Sequence, residues 1–384
     1  MVNSTPLTIY LPLKGRHLHT LRWMWHADRI RLPFHIVIAD GEVNPVVAHV
    51  LEDSANFPNL SFEYHRYEDR SLTDFYRKCV DAVAKVQTPY VMISDNDDFL
   101  MSAGVKEAIA YLERNADFVC YGGRVAGFAI SPRGGSITRN VVGPVSQLGF
   151  FYPARDFSNL SAAERVRFGL ANYMPIYYNV HRTASLKLIF NEVVKCDFAD
   201  VSIHELFTAL RAMTLGKART GPTTISYMRQ HGTSLGSSQT MDWVQRVVSK
   251  SFMVDFQAMV SCIARAVASV DEGDQIDVEE TIRAAFVEFL RFRLPATNSV
   301  RRNPIKAAIR PLLPSWLVEA RIRGFKPIRV HRRAIIQELK RAGASGTYLE
   351  AFHSELRQVE FTLEGGAFLD FVRARIGDDL SVLA

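Results

Sequence analysis

Residues 88–100 read TPYVMISDNDDFL, an apolar run that stops in three carboxylates, Asp95, Asp97 and Asp98. The stretch from Tyr90 to Ile93 is short, apolar and rich in β-formers, which reads as a buried strand. Acids placed directly after such a strand stand at its carboxyl end, where open α/β sheets bind their ligands. Asp95 and Asp97 are two residues apart, so an extended segment turns them to the same side. Hard carboxylate oxygens in that place suit Mg2+ or Mn2+, whose open positions are filled by phosphates. The plain structural reading is an Asp-rich turn that caps a helix starting near Ser102.

Working outward, the preceding chain alternates between two periods. LTIYLPL (7–13), FHIVIAD (34–40) and LSFEYHRYE (60–68) read as strands. HLHTLRWMWHADRIRL (17–32), NPVVAHVLEDSA (44–55) and LTDFYRKCVDAVAKV (72–86) read as helices. The spacing predicts β-α-β-α-β-α-β with short connections, hence an α/β fold with a mainly parallel sheet flanked by helices. After the acids, AGVKEAIAYLERN (103–115) is expected to be a helix and DFVCYGGRVAGFAI (117–130) a strand or strand pair. Residues 131–172 are punctuated by Gly, Pro and Ser and read as loops around a pocket. A strand leading into a helix near Thr183, a helix over 201–215 and a strand over 223–230 follow. From about Met241 the pattern is helical, with DEGDQIDVEE (271–280) as an acidic linker, so the expected division is 1–240 and a helical C-terminal region, 241–384.

Composition narrows the class. With 384 residues, 48% of them hydrophobic and 22% charged, the chain has material for one large domain and an appendage, or for two domains, and disorder is not expected. Cys79, Cys120, Cys196 and Cys262 are widely scattered and form no Cys-x-x-Cys pair, which argues against a zinc ribbon, a redox dithiol or a disulfide framework. No signal peptide and no uncharged run near the ~20 residues of a membrane span are read, so a cytoplasmic chain is expected. Residues 301–333 hold ten Lys or Arg against one acid, Glu319, around PLLPSWL. Such a basic amphipathic segment fits an anionic membrane surface, with Trp316 entering the interface and the chain peripheral at the inner face of the membrane. A solvated basic face with a packed Trp is the other reading, and nucleic acid is disfavoured for want of an aromatic-rich motif. Oligomeric state is not legible.

With these elements in order, TPYVMISDNDDFL resembles the segment of family 2 glycosyltransferases and their GT-A relatives in which an apolar strand runs into D-x-D-D, an aromatic and a leucine. LTIYLPLKGR is similar to that family's opening strand and polar turn, VIADGE to its acid-bearing second strand, and LTDFYRKCVDAVAKV to the helix that approaches the nucleotide with Arg77 and Lys78. The resemblance spans residues 7 to 236 and implies the GT-A, nucleotide-diphospho-sugar transferase-like fold. It implies that Pro12, Leu13, Lys14 and Gly15 border the nucleotide, that Asp40 contacts the base, and that Lys78 lies near the basic position. Asp95 meets the ribose and the metal, Asp97 is the principal metal ligand, and Asp98 serves the turn or the acceptor side. The asparagine usual in the first turn is absent.

Further along, Glu205 and Arg211 resemble the acidic helix start and later arginine of the relatives, with His204 where the first acid is usual. Glu205 is expected to be the general base, and Asp200 either the helix cap or the base itself. His231 resembles the late loop histidine that reaches the metal or the diphosphate, and Arg229 is expected to neutralise the departing diphosphate. His181 and Arg182, with Tyr177 and Tyr178, are expected to border the acceptor. No P-loop, G-x-G-x-x-G, G-x-S-x-G or H-E-x-x-H pattern occurs, which disfavours the corresponding enzyme classes.

The expected function is a Mg2+- or Mn2+-dependent, inverting glycosyltransferase that moves a sugar from a nucleoside diphosphate sugar to a glycan or lipid-linked acceptor, as in bacterial surface polysaccharide synthesis. Two rivals stay open, a sugar-phosphate nucleotidyltransferase and a non-catalytic glycan-binding scaffold that keeps the fold.

Overall fold

The computed structural model describes residues 6–131, 138, 140–159, 161–231, 246–293 and 332–383. Its first half follows the alternation in the sequence: β1 (Leu7–Leu13), α1 (His17–Arg29), β2 (His35–Asp40), α2 (Ala48–Glu52), β3 (Phe62–Arg66), α3 (Leu72–Lys85) and β4 (Tyr90–Ile93). Then come β5 (Phe99–Leu100), α4 (Ser102–Arg114), β6 (Phe118–Ile130), β7 (Val145–Phe150), β8 (Asp156–Phe157), α5 (Ala162–Ala171), β9 (Val180–Arg182), α6 (Thr183–Cys196), α7 (Val201–Leu215) and β10 (Lys217–Gln230).

The strands form one sheet in the order β3-β2-β1-β4-β9-β6-β10-β5, with β7 beside β6 and β8 beside β10. β3, β2, β1 and β4 are parallel, and so are β6 and β10. The short β9 runs antiparallel to both its neighbours, β4 and β6, and so joins two parallel blocks. The fold class is therefore the expected α/β arrangement, with a mainly parallel sheet covered by helices. β1 is flanked by β2 on one side and β4 on the other, and such a switch point is where open α/β sheets bind ligands at their carboxyl edge.

Several local expectations change. The helix expected over 44–55 shrinks to α2 and a 3-10 turn, because Asp53 caps Ala55 N and restarts the chain there. The loop region 131–172 contains β7, β8 and α5. Residues 118–130 make one long strand, not a pair, because β6 pairs in parallel with β10 from Phe118 to Phe128, across several register shifts. The acidic linker is largely helix: Glu272 ends one helix in the left-handed region, and the next begins at Gln275.

The C-terminal helices are α8 (Lys250–Asp271), α9 (Gln275–Arg293), α10 (Arg332–Arg341), α11 (Gly346–Glu364) and α12 (Gly366–Ile376). Among the described residues, their buried side chains belong to the same two core clusters as the sheet. α8 and α9 lie against α5 and α7, while α11 and α12 meet α1. Phe352, Leu356, Val359 and Leu363 recur at helical spacing on α11 and are buried with Phe99, Phe128 and Met228 of the sheet. Each such side chain removed from water contributes about 1.5–3 kcal/mol.

Among the described residues one helix, α8, is long and apolar enough to cross a membrane by length and composition alone. Its apolar side, from Phe252 to Val267, is buried in the protein core. Of the basic segment 301–333, residues 301–331, including Trp316, lie outside the described residues, as does the expected boundary near residue 240.

Candidate active site

β4 ends at Ile93, and Ser94 N still donates to Tyr10 O at 3.0 Å before the chain turns. β5 then pairs with β10, so the turn is held between two strands of the same sheet. This brings carboxylate oxygens of Asp95, Asp97 and Asp98 within 4.8 Å of one another. Asp97 and Asp98 are both 2% exposed. Crowding like charges in a buried turn is costly unless opposite charge and donors compensate. Arg16 Nη1 lies 2.8 Å from Asp97 Oδ2. The Tyr178 hydroxyl donates to Asp95 Oδ2 at 2.7 Å, and Gln230 N donates to Asp98 Oδ1 at 3.1 Å.

Compensation is incomplete. Burial and then the charge of Asp97 raise the Asp95 carboxyl above its ordinary range, against the pull of Arg229 and Arg16. The same two causes push Asp98 well above its ordinary value. Asp98 Oδ2 is buried without a hydrogen-bond partner. Converging hard oxygens, one of them unsatisfied, fit a divalent cation of the Mg2+ or Mn2+ kind.

The backbone of the turn is held from beneath by Arg22, a fully buried residue of α1. Its guanidinium donates to Asp97 O at 2.9 Å and Val141 O at 2.7 Å and lies 4.9 Å from the Phe99 ring centroid. Burial lowers this guanidinium to about 10, against the pull of Asp97 and Asp98, so it stays cationic at neutral pH. Neither Arg16 nor Arg22 stood out in the sequence. The pair Lys14 and Arg16 around Gly15 was the available signal for the first, whereas Arg22 looks like any helix arginine.

The expected nucleotide border lies at the ends of β1 and β2. Pro12 is opposite Ala39 in the parallel register. The chain leaves β1 through Gly15 and Arg16, both left-handed, at φ 63° and 54°. A glycine accepts this freely, whereas an arginine there is strained. The exposed Lys14 ammonium donates to Asp69 O. Lys78 is buried, with its ammonium on Leu13 O at 2.9 Å and on the Asp69 carboxylate. Asp40 accepts from Glu42 N at 3.0 Å and from the Tyr64 hydroxyl at 2.8 Å. Gly41 is pressed against this pair, since a Cβ there would lie 2.0 Å from Asp69 Oδ2. Alongside is a cleft of about 250 Å³ lined by Tyr67, Asp69, Arg77 and Lys78 among others. Asp69, the buried partner of Lys78, was not singled out in the sequence.

Asp200 and Glu205 lie on the same helix in different settings. Asp200 caps α7 by accepting from Ser202 N at 2.7 Å, and both its oxygens take Arg246 Nη1, at 2.7 and 2.9 Å. Glu205 accepts from the Tyr173 hydroxyl at 2.9 Å. Burial first, with a smaller part from the Glu205 charge, raises Tyr177, Tyr178 and Tyr227, and the Tyr178 hydroxyl in turn donates to Asp95. His204 turns inward, 5.0 Å from the Tyr76 ring centroid, and burial lowers it to about 4, so it is neutral at ordinary pH. Arg211 is engaged by Glu192 of α6 at 2.6 and 2.9 Å.

Arg229 lies near the end of β10, 5.3 Å from the Tyr178 ring centroid. Burial works against its charge, but Tyr178 and Asp98 more than offset this. His231 follows, exposed, with its ring 4.9 Å from that of Phe151, and it is not one of the three residues whose ligand atoms converge. His181 contacts Ile176 O at 3.0 Å, and Arg182 donates to the carbonyls of Phe118, Leu112 and Asn115. Both are committed to the backbone, while Tyr178 faces the acids.

No protein-family model and no curated protein matches the chain. Among solved structures it is similar to TarS 1-349 of S. aureus in complex with UDP-GlcNAc, at 15% identity and a TM-score of 0.47, over 96% of this chain and 91% of that one. It is also similar to the mannosyltransferase PcManGT from Pyrobaculum calidifontis in complex with GDP-Man and Mn2+, at 12% identity and a TM-score of 0.38, over 84% and 85%. The likeness is loose, and the functional reading rests on the geometry of the site.

Proposed function

We propose that this chain is a divalent-metal-dependent, inverting glycosyltransferase that uses a nucleoside diphosphate sugar as donor. The observation that carries the reading is the convergence of Asp95, Asp97 and Asp98 at the carboxyl end of β4, beside the switch point of the sheet. Mg2+ or Mn2+ held by Asp95 and Asp97 would supply positive charge to the diphosphate as it leaves. Arg229 adds a fixed cation on the same side, and Arg16 another beside Asp97. Pro12, Lys14, Asp40 and Lys78 border the nucleoside, the last two by shaping the strand ends. Glu205 takes the proton from the acceptor hydroxyl as that oxygen attacks the anomeric carbon, and the Tyr173 hydroxyl orients its carboxylate. Asp200, spent on Arg246 and the helix cap, supports α7. His231 serves the closing side of the donor pocket.

The finer reading of a lipid-linked or glycan acceptor at the inner face of a membrane rests on the basic stretch 301–333. Flotation with anionic vesicles tests it, and a chain that stays unbound at low salt overturns it.

The decisive experiment is calorimetric titration with UDP and GDP, with and without Mn2+, followed by hydrolysis assays on UDP-GlcNAc and GDP-Man. Metal-dependent binding with slow donor hydrolysis is expected. Absence of metal-dependent binding favours the scaffold, and release of pyrophosphate from a nucleoside triphosphate and a sugar phosphate favours the nucleotidyltransferase.

A further inference from the structure

Folding brings together two of the cysteines that the sequence scatters. Cys196 closes α6 and Cys262 lies within α8, yet their Sγ atoms are 3.7 Å apart across a separation of 66 residues. Both are free and partly exposed, whereas Cys79 and Cys120 are free and buried. We propose that Cys196 and Cys262 form a covalent modification site, a reversible intramolecular disulfide that fastens the helical C-terminal region to the turn between α6 and α7.

The surroundings favour closure. Disulfide sulfurs stand about 2.05 Å apart, and one end of this pair can move to reach that. Cys196 is the last residue of its helix, and Asp197 beyond it is left-handed at φ 48°, so the end of α6 adjusts without disturbing the turns before it. The same turn is already clamped to α8: Asp200 N donates to Asp255 Oδ2 at 2.8 Å, and Arg246, just before α8, holds the Asp200 carboxylate. A bond here would therefore tighten an existing contact and steady the start of α7, the helix that carries Glu205.

The chemistry balances with a small disulfide, oxidised glutathione, as oxidant. Burial and the neighbouring Cys262 push the Cys196 thiol up to about 12, so ionisation limits the exchange and mildly alkaline pH speeds it. The Cys262 thiolate attacks one glutathione sulfur, the glutathione S–S bond breaks, and one glutathione thiolate leaves. Cys196 then loses its proton and attacks the Cys262 sulfur of the mixed disulfide, expelling the second glutathione. Two protein thiols are oxidised, and one glutathione disulfide is reduced to two thiols.

The test uses the full chain incubated with oxidised glutathione at pH 8, then alkylated and mapped by mass spectrometry. The expected product is lighter by about 2 Da through loss of two hydrogens, carries a Cys196–Cys262 linked peptide, and keeps Cys79 and Cys120 as thiols. Its Tm should rise by roughly 5 °C, as a crosslink closing a long loop does, and dithiothreitol should reverse the rise. Cys196→Ser and Cys262→Ser should each abolish both changes. A wild-type chain that keeps its full mass, or carries separate glutathione adducts on the two cysteines, overturns the proposal, and that result does not depend on either variant folding.

Discussion

Two acidic places flank the short run from Asp95 to Ala103, and they are built in opposite ways. At the strand end three carboxylates crowd together and raise one another, with Arg16, Arg229 and Tyr178 only partly compensating. A few residues on, a single carboxyl, Glu355 of α11, sits at the start of α4 and accepts from Ala103 N at 3.0 Å. Burial there raises its carboxyl to about 7, and no second acid is among the causes. A lone acid at a helix N-terminus satisfies an orphan donor, which is a structural use. A crowded group that stays under-compensated makes sense when a cation completes it.

Four measurements would break or sharpen this contrast. Asp97→Asn should have the largest effect, lowering turnover by about 10³-fold or more and abolishing metal-dependent nucleotide binding, while Tm holds or rises because repulsion with Asp95 and Asp98 is relieved. A large fall in Tm would place that acid on the structural side. Next, Glu205→Gln should cost roughly 10²–10⁴-fold in turnover with donor affinity nearly unchanged, and near-normal turnover would remove Glu205 from the role of base. Lys78→Met strands the buried Asp69 carboxylate and should destabilise the fold by about 3–5 kcal/mol in urea titration. A loss below about 1 kcal/mol would mean that water reaches the pair.

The smallest effect is a pH signature. Folding raises the Glu355 carboxyl from 4.5 to about 7, so it favours the protonated form. That stabilisation is complete below the unfolded value and is lost as pH rises through about 7, amounting to about 2–3 kcal/mol. Glu355→Gln, which stays neutral, should flatten the stability profile between those limits. A profile identical to that of the wild type would show that the carboxyl titrates normally.

Much of this was legible before the structure. The strand at Tyr90–Ile93 and the acids after it follow from composition and period, and so do β1, β2, α3 and α7. The long β6 and the reversed β9 were not, because strand length and direction depend on the partners available. Within the candidate site, Asp95, Asp97 and Glu205 announce themselves by residue type and position. His204 shows the limit of that method, since it is buried among aromatic rings, whereas Asp200 caps α7, one of its two expected roles, and is also tied to an arginine 46 residues away.

By itself, then, the sequence determined the alternation of strands and helices and the placing of three acids at a strand's carboxyl end, since both are encoded in neighbouring residues. Only the tertiary structure decided which charges meet those acids, which lysine is buried against Asp69, and which cysteines face each other. Arg22 reaches the Asp97 carbonyl across 75 residues, Cys196 reaches Cys262 across 66, and Glu355 reaches α4 across 252. Contacts of that span leave no local period in the chain, because they arise only when sheet and helices pack against one another.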